Sequence, residues 1–391
     1  MKRSKKVLIV ILVIVMVVLL GIAALATAVL APSSVGVEQA PLDGAYARVL
    51  ADIEGIRQAN PRYIDIACLG SHDSFTADLV HTDDFDLYLP QAVHTFFPII
   101  GKFNFRYTQT QTVGIYQQLM QGVRFLHIKV SYFEDEWYTS HIVMSGKLEK
   151  HVLDVLRYLA LPEAQGEIVG IIFQPIYMGD KTYNDLRNYV AEIKYEGKSL
   201  YDYVAYGEAA LYDDGEGAKL SELRYNDLTN SGASAGVLLF ERRGAHYMDS
   251  WDDGLRDYKH YFDLDSYAIH TWHNHSDRKL LEKCIENTSR QIASSDECND
   301  KLRINQTQAS LAVRSAGDLW SIIGERSLLT IAEKHNVALL ERDDFMDILR
   351  TMPVFQVDYA TCQTNDFNAR VNQMITQYNV RLVAELNEQR Q

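Results

Sequence analysis

Four short stretches hold residue types that can move protons beside a bound anion. The first is "SHDS", Ser71 to Ser74, which follows the apolar run "YIDIACLG". Gly70 permits a tight exit from that run. The second is "RFLHIKV", where strand alternation puts Phe125, His127 and Lys129 on one face and Leu126, Ile128 and Val130 on the other. Two basic side chains therefore point the same way out of an apolar run. The third is His141, 14 residues after His127, a distance that suits a strand, a hairpin-like excursion and a return. The fourth is "VFQVDYA", which sets Asp358 in an apolar run, where a carboxylate needs a partner.

Two histidines that titrate near neutral pH can divide the labour, one accepting a proton and one donating it. His72 and His141 are the pair in question, and Asp358 is the carboxylate that could hold the ring of His72. Asp73 sits beside His72 in the same turn. "GVLLFERRGAH" brings Glu241, Arg242 and Arg243 to another strand end. A mouth lined by Lys129, His127 and Arg242 suits an anionic ligand, most naturally a phosphate. Read alone, "SHDS" serves equally well as a helix-capping turn with His72 incidental. "HTWHNH", with His270, His273 and His275, is the best local case for a metal cluster. It lacks i, i+4 helical spacing and a downstream partner at zinc-type spacing, so these residues are expected to line a loop or the mouth. No metal and no cofactor is expected.

The elements that must carry these residues alternate. Strand candidates are "YIDIACLG", "RFLHIKV", "EIVGIIFQ", "GVLLFER", "SYAIHTW", "VALLER" and "VFQVDYA". Between several of them lie helical patterns such as "LEKHVLDVLRYLAL" and "DFNARVNQMITQYNVRLV", and "LDGAYARVLADIEGIRQ" reads as a first helix. Strands alternating with helices give a parallel sheet. The number of strands predicts an α/β fold of the TIM (β/α)8-like kind, with its chemistry at the C-terminal strand ends. In a closed barrel the last strand lies beside the first, which would bring Asp358 to His72.

"MKRSKK" precedes a run without charge, Val7 to Ala31, long enough to span a bilayer. The expected organisation is a transmembrane anchor or signal segment at 1–31, a linker at 32–50 and a barrel at 51–391. The basic flank stays cytoplasmic, so the rest of the chain would lie outside the membrane, single-pass, or be secreted if the segment is cleaved. Lys2, Arg3, Lys5 and Lys6 are four of the 38 basic residues, so the remainder carries 34 against 52 acidic ones, a balance of −18. That excludes a nucleic-acid partner of the usual basic kind and tight, purely electrostatic adhesion to an anionic bilayer. Cys284 and Cys298 could close a short loop after export, whereas Cys68 suits a free buried thiol. Asn274, Asn287 and Asn305 each open an Asn-x-Ser/Thr sequon.

The order of these motifs resembles a family. "GSHDS", then "YQQLMQGVRFLHIKV", then His141 before "LEKHVLDVLRYLALPEAQGEIVGIIF" is similar to the X domain of phosphatidylinositol-specific phospholipases C, over about residues 62–175. "LLFERR" and "QVDYA" look like the later arginine and aspartate strands of the bacterial members. The resemblance implies a distorted TIM barrel and metal-independent cleavage of a phospholipid at a membrane surface. It implies His72 as general base on the inositol 2-hydroxyl, Asp358 as its orienting partner, His141 as general acid and Arg242 at the phosphate or inositol. The departure is at the family's Asp-x-Arg, which here reads His127-Ile128-Lys129. Lys129 keeps a positive charge without the bidentate fork, and a basic pair does not suit the calcium of the eukaryotic members. Two other functions follow from that departure: a catalytically weak barrel that binds phospho-head groups, or a phosphodiesterase for a different lipid.

Overall fold

The computed structural model describes residues 44–79, 108–141, 143–206, 219–242, 260–308, 314–325 and 327–390, together with Met16 and Gly21. Among the described residues ten strands form one curled sheet. In chain order they are β1 (Cys68–Ser71), β2 (Val123–Phe133), β3 (Glu136–His141), β4 (Val143–Lys147) and β5 (Ile168–Tyr177). They continue with β6 (Gly236–Glu241), β7 (Tyr261–Asp263), β8 (Ala268–Trp272), β9 (Leu302–Gln306) and β10 (Val354–Val357). Parallel ladders run β7-β6-β5-β2-β1-β10-β9-β8, and β3 and β4 form an antiparallel hairpin on the extended end of β2. This is the neighbour order of a (β/α)8 barrel. The distortion is a gap: among the described residues no ladder joins β7 to β8.

The interior is stacked in layers set by register. Gly70 pairs with Phe125 on one side and Gln356 on the other, and Phe125 pairs with Gly170. A Cβ on Gly170 would come within 2.5 Å of the Phe125 ring. Glycine at this strand position therefore leaves room for Phe125, whose ring packs 5.7 Å from that of Phe240. This aromatic layer is the floor beneath His127, two residues further along β2.

The opposite end of the barrel is sealed by a buried ion pair. Arg124 is 1% exposed and its Nε donates to Glu167 Oε2 at 2.8 Å. The other carboxylate oxygen accepts the backbone amides of Val49, Leu50 and Ala51. Arg124 also donates to the carbonyls of Leu119, Val123, Tyr46 and Ala47. Residues 44–50, expected to belong to the linker, are therefore packed against the barrel base, with Ala47 and Leu50 buried.

Several sequence expectations change. "LDGAYARVLADIEGIRQ" is not one helix: Glu167 takes three of its amides, Gly55 adopts φ +78°, and only Ile56–Ala59 is helical. "VALLER" is not a strand but the end of the helix Leu328–Leu340, where Leu328, Ile331, Ala332, His335 and Leu339 bury one face. The strands β7 and β9 stand in its place in the count. All four cysteines are free, so Cys284, within the helix Arg278–Ala293, and Cys298, in the turn after it, close no loop. Asn305 is fully buried in β9, which removes its sequon as a glycan site in the folded chain. The run Val7–Ala31 lies outside the described residues apart from Met16 and Gly21. Among the described residues no helix is long and apolar enough to cross a membrane.

Candidate active site

The C-terminal ends of β1, β2, β10 and the hairpin strand β3 converge on one mouth. Ser71 pairs with Val357, so the residues that follow, His72 and Asp358, leave their strands side by side. His72 Nδ1 lies 2.9 Å from Asp358 Oδ1. Asp358 is buried, and burial raises its pKa although the neighbouring His72 opposes this. Its main-chain carbonyl is fixed by Asn336 Nδ2 at 2.8 Å. The tie to Asp358 through Nδ1 directs Nε2 of His72 into the mouth.

Asp73 is the hub. It adopts a left-handed conformation, φ +43°, which aspartate tolerates better than most residues and which turns its side chain back into the mouth. Its Oδ2 receives Lys129 Nζ at 2.9 Å and lies 3.3 Å from His141 Nδ1 and 3.4 Å from His72 Nε2. Its Oδ1 lies 3.2 Å from His127 Nδ1. Burial would raise the Asp73 pKa, but His72, Lys129, His141 and His127 outweigh it and hold the carboxyl well below the usual range. The turn is locked from behind. Thr110 Oγ1 donates to the carbonyls of His72 and Asp73, Gln111 Nε2 to those of His72 and Val357, and Gln118 Nε2 to that of Ser74. Ser74 Oγ accepts the His127 amide and bonds Ser71 Oγ.

His127 and Lys129 do point the same way, into the mouth and toward Asp73. His127 Nε2 bonds Gln174 Oε1, from β5, at 2.8 Å. Burial pushes its pKa well below the ordinary histidine value, against the pull of Asp73. His141 closes the other side. The edge of its ring faces the His72 ring, with centroids 6.0 Å apart, and its Nδ1 donates to the Thr108 carbonyl at 2.8 Å. Burial pushes the His141 pKa down to about 4, with Asp73 opposing.

Arg242 follows β6 on the inward register, and burial lowers its pKa while Asp265 and Asp73 raise it. Glu241 faces the other way and pairs with Arg187, at 2.5 and 2.8 Å, so it is not part of the mouth. Arg243 lies outside the described residues. The "HTWHNH" histidines do not converge. His270 pairs with Asp265 at 2.8 Å and His275 with Asp318 at 3.2 Å. Gln174, Thr108, Thr110 and Gln111 were not singled out from the sequence. Gln174 was within reach of it, because alternation from the buried run of β5 leaves a polar side chain at the same strand end as Lys129, its register partner.

No family model matches the chain. A PI-PLC X-box domain-containing protein of Dictyostelium discoideum is 27% identical over 124 residues, a match that spans 32% of this chain and 16% of that relative. Among solved structures, a variant of the phosphatidylinositol-specific phospholipase C from Staphylococcus aureus superposes with a TM-score of 0.54 at 16% identity. It covers 87% of this chain and 99% of the other. The enzyme of the same name from Listeria monocytogenes gives a TM-score of 0.54 at 13% identity, covering 85% and 98%. At these identities the structural likeness shows the fold, a distorted TIM-like barrel, and the relatives bear the family name that the motif order resembles.

Proposed function

We propose that the chain cleaves a phospholipid phosphodiester, with phosphatidylinositol the first candidate, by acid–base attack of the inositol 2-hydroxyl on phosphorus and without a metal. What supports the reading most is the juxtaposition of His72, tied by Asp358, with His141, tied by Thr108, around Asp73 and Lys129. His72 Nε2 takes the proton of the 2-hydroxyl as its oxygen bonds to phosphorus. The bond from phosphorus to the diacylglycerol oxygen breaks, and His141 protonates that oxygen. The products are diacylglycerol and a cyclic inositol phosphate. Lys129 and Arg242 face the phosphoryl oxygens, and His127 lines the same wall. Holding hydroxyl, base, acid and cation together makes the attack intramolecular and stabilises the charge on the phosphoryl oxygens.

The resting state of His141 adds a step. A ring with a pKa of about 4 is neutral at pH 7 and keeps its one proton on Nδ1 for Thr108. An arriving phosphate anion favours the charged ring. Substrate binding then loads the acid, and proton uptake accompanies it. Calcium does not fit this mouth. Hard cations take oxygen ligands, whereas the positions beside Asp73 carry an ammonium and imidazoles. The apolar segment at 1–31 serves in this reading as a membrane tether or export signal that puts the barrel outside the membrane, and fractionation of cells with surface proteolysis tests that separately.

The test of activity is direct. The full chain is incubated with phosphatidylinositol and with other phospholipids, with and without chelator, and diacylglycerol and cyclic phosphate are measured. Turnover that survives chelation supports the reading. Turnover that chelator abolishes refutes its metal-free mechanism. Head-group binding without turnover on any lipid refutes catalysis altogether.

A further inference from the structure

Asp73 uses its two oxygens unequally. Oδ2 accepts a hydrogen bond from Lys129 Nζ and lies 3.3 Å from His141 Nδ1 and 3.4 Å from His72 Nε2. Oδ1 lies 3.2 Å from His127 Nδ1, yet neither atom makes a hydrogen bond. Both residues are buried, His127 at 2% exposure and Asp73 at 0%. The Gln174 carbonyl oxygen holds the His127 proton on Nε2, so Nδ1 presents a lone pair beside a carboxylate oxygen. Two acceptors side by side in a buried place are unfavourable, and a cation between them removes the conflict. Their separation suits one. Two atoms bound to a single ion at about 2.0–2.2 Å, with an angle near 100–110°, are about 3.1–3.6 Å apart.

A third ligand stands ready. His72 gives Nδ1 to Asp358, which leaves the lone pair on Nε2. The ligand atoms of His72, Asp73 and His127 all lie within 4.8 Å of one another. The His72 and His127 ring centroids are 5.3 Å apart, with 25° between the planes. Two imidazoles and one carboxylate are borderline donors that favour zinc, nickel or copper over calcium or magnesium. Lys129 can keep Oδ2 while Oδ1 takes the ion.

We infer that the mouth binds one divalent transition-metal ion of the zinc class through His72 Nε2, Asp73 Oδ1 and His127 Nδ1, and that the ion shuts the site. The binding half stands on the geometry alone. The inhibitory half rests on the proposed role of His72, because a metal on Nε2 takes the lone pair that would accept the 2-hydroxyl proton. His127 is the residue that makes the site selective, since it adds a second imidazole beside that of His72.

The experiment titrates the metal-stripped full chain with zinc chloride by calorimetry and with cobalt(II) by visible absorption. One ion per chain is expected. His127→Gln, His127→Phe and Asp73→Asn should each weaken binding at least tenfold, while His275→Gln, whose imidazole pairs with Asp318, should not. Thermal unfolding of each variant shows which are folded, and only folded variants are compared. No ion bound by the wild type, or binding unchanged in both folded His127 variants, overturns the site. Cleavage of phosphatidylinositol is followed in parallel, with zinc expected to inhibit at the concentration at which it binds and chelator to restore the rate. Cleavage that persists with the site filled overturns the inhibitory half. Zinc binding that depends on His127, in a chain that cleaves no lipid, upholds the site and refutes the enzymatic reading, so the two fail separately.

Discussion

Arg124→Met should unfold this barrel from its base without touching its chemistry. The guanidinium is 1% exposed and Glu167 is 0% exposed. Removing the cation leaves Glu167 Oε2 buried without its partner, while Oε1 keeps the three amides of residues 49–51. It also strips a donor from the carbonyls of Leu119, Val123 and Tyr46, while the Leu119 carbonyl keeps the Gly122 amide at 3.2 Å and the Ala47 carbonyl keeps the Tyr158 hydroxyl at 2.7 Å. Breaking one side of a buried pair costs about 3–5 kcal/mol. A loss of about 4 kcal/mol is close to a thousandfold in the folding equilibrium. Urea unfolding reads this as a lower midpoint at an unchanged slope. Glu167→Gln alone should cost about 2–3 kcal/mol, through an amide facing Arg124 and a weaker acceptor for the amides. In the double variant no charge is left unpaired, so its loss should fall short of the sum by at least about 1.5 kcal/mol. Turnover per folded molecule should stay within about twofold, because this pair seals the N-terminal end of the strands and barrel chemistry belongs to the other end. An Arg124→Met loss below about 1 kcal/mol, or strict additivity in the cycle, would refute the reasoning.

The site gives further expectations. His72→Ala and His141→Ala should each lower the rate at least about 10²-fold, as loss of a positioned base or acid does, read as initial velocity on phosphatidylinositol. Asp358→Asn should lower kcat by about 10²–10⁴-fold at nearly unchanged stability, because the wrong His72 tautomer is then held, and an unchanged rate would remove Asp358 from the mechanism. Lys129→Met should raise KM and lower kcat, with Lys129→Arg restoring part of both, since the charge returns with a different shape. His151 tests pH dependence away from the mouth. It is fully buried, neither ring nitrogen has a hydrogen-bond partner, and burial pushes its pKa down to about 4. The unfolded chain, with an ordinary histidine pKa near 6.5, binds the proton more readily, so stability is intact above about pH 6.5 and is lost as pH falls toward 4, by at most about 3 kcal/mol for this group. His151→Leu should flatten that part of the urea-midpoint profile, and an identical slope in the variant would show that His151 does not govern it.

What the sequence displayed and what it hid divide along a physical line. Strand ends are legible, because a polar residue closing an apolar run has few places to go but the mouth of a parallel sheet; that logic points to His72 and Asp358, and alternation along β2 points to Lys129. Short apolar runs were ambiguous. "VALLER" packs as the last turns of a helix whose earlier turns share its face, and six residues cannot separate the two periods. β9 was invisible because two of its polar residues find partners far along the chain, Arg303 in Asp65 and the Ile64 carbonyl, and Gln306 in Gln356. The N-terminal helix failed because a residue more than 100 positions away claims its amides. Most instructive are Arg124 and Glu167. Both lie in the segments that carry the family resemblance, yet they face the base of the barrel and not the mouth. Part of what makes the motif recognisable is therefore the seal that holds β2 and β5 in register, and only part of it is chemistry. Asp73 shows the converse. Its neighbours in sequence made it look like an accessory to His72. Its left-handed backbone sets it against Lys129 and three imidazole rings, a meeting that exists only once three strands, β1, β2 and β3, have come together.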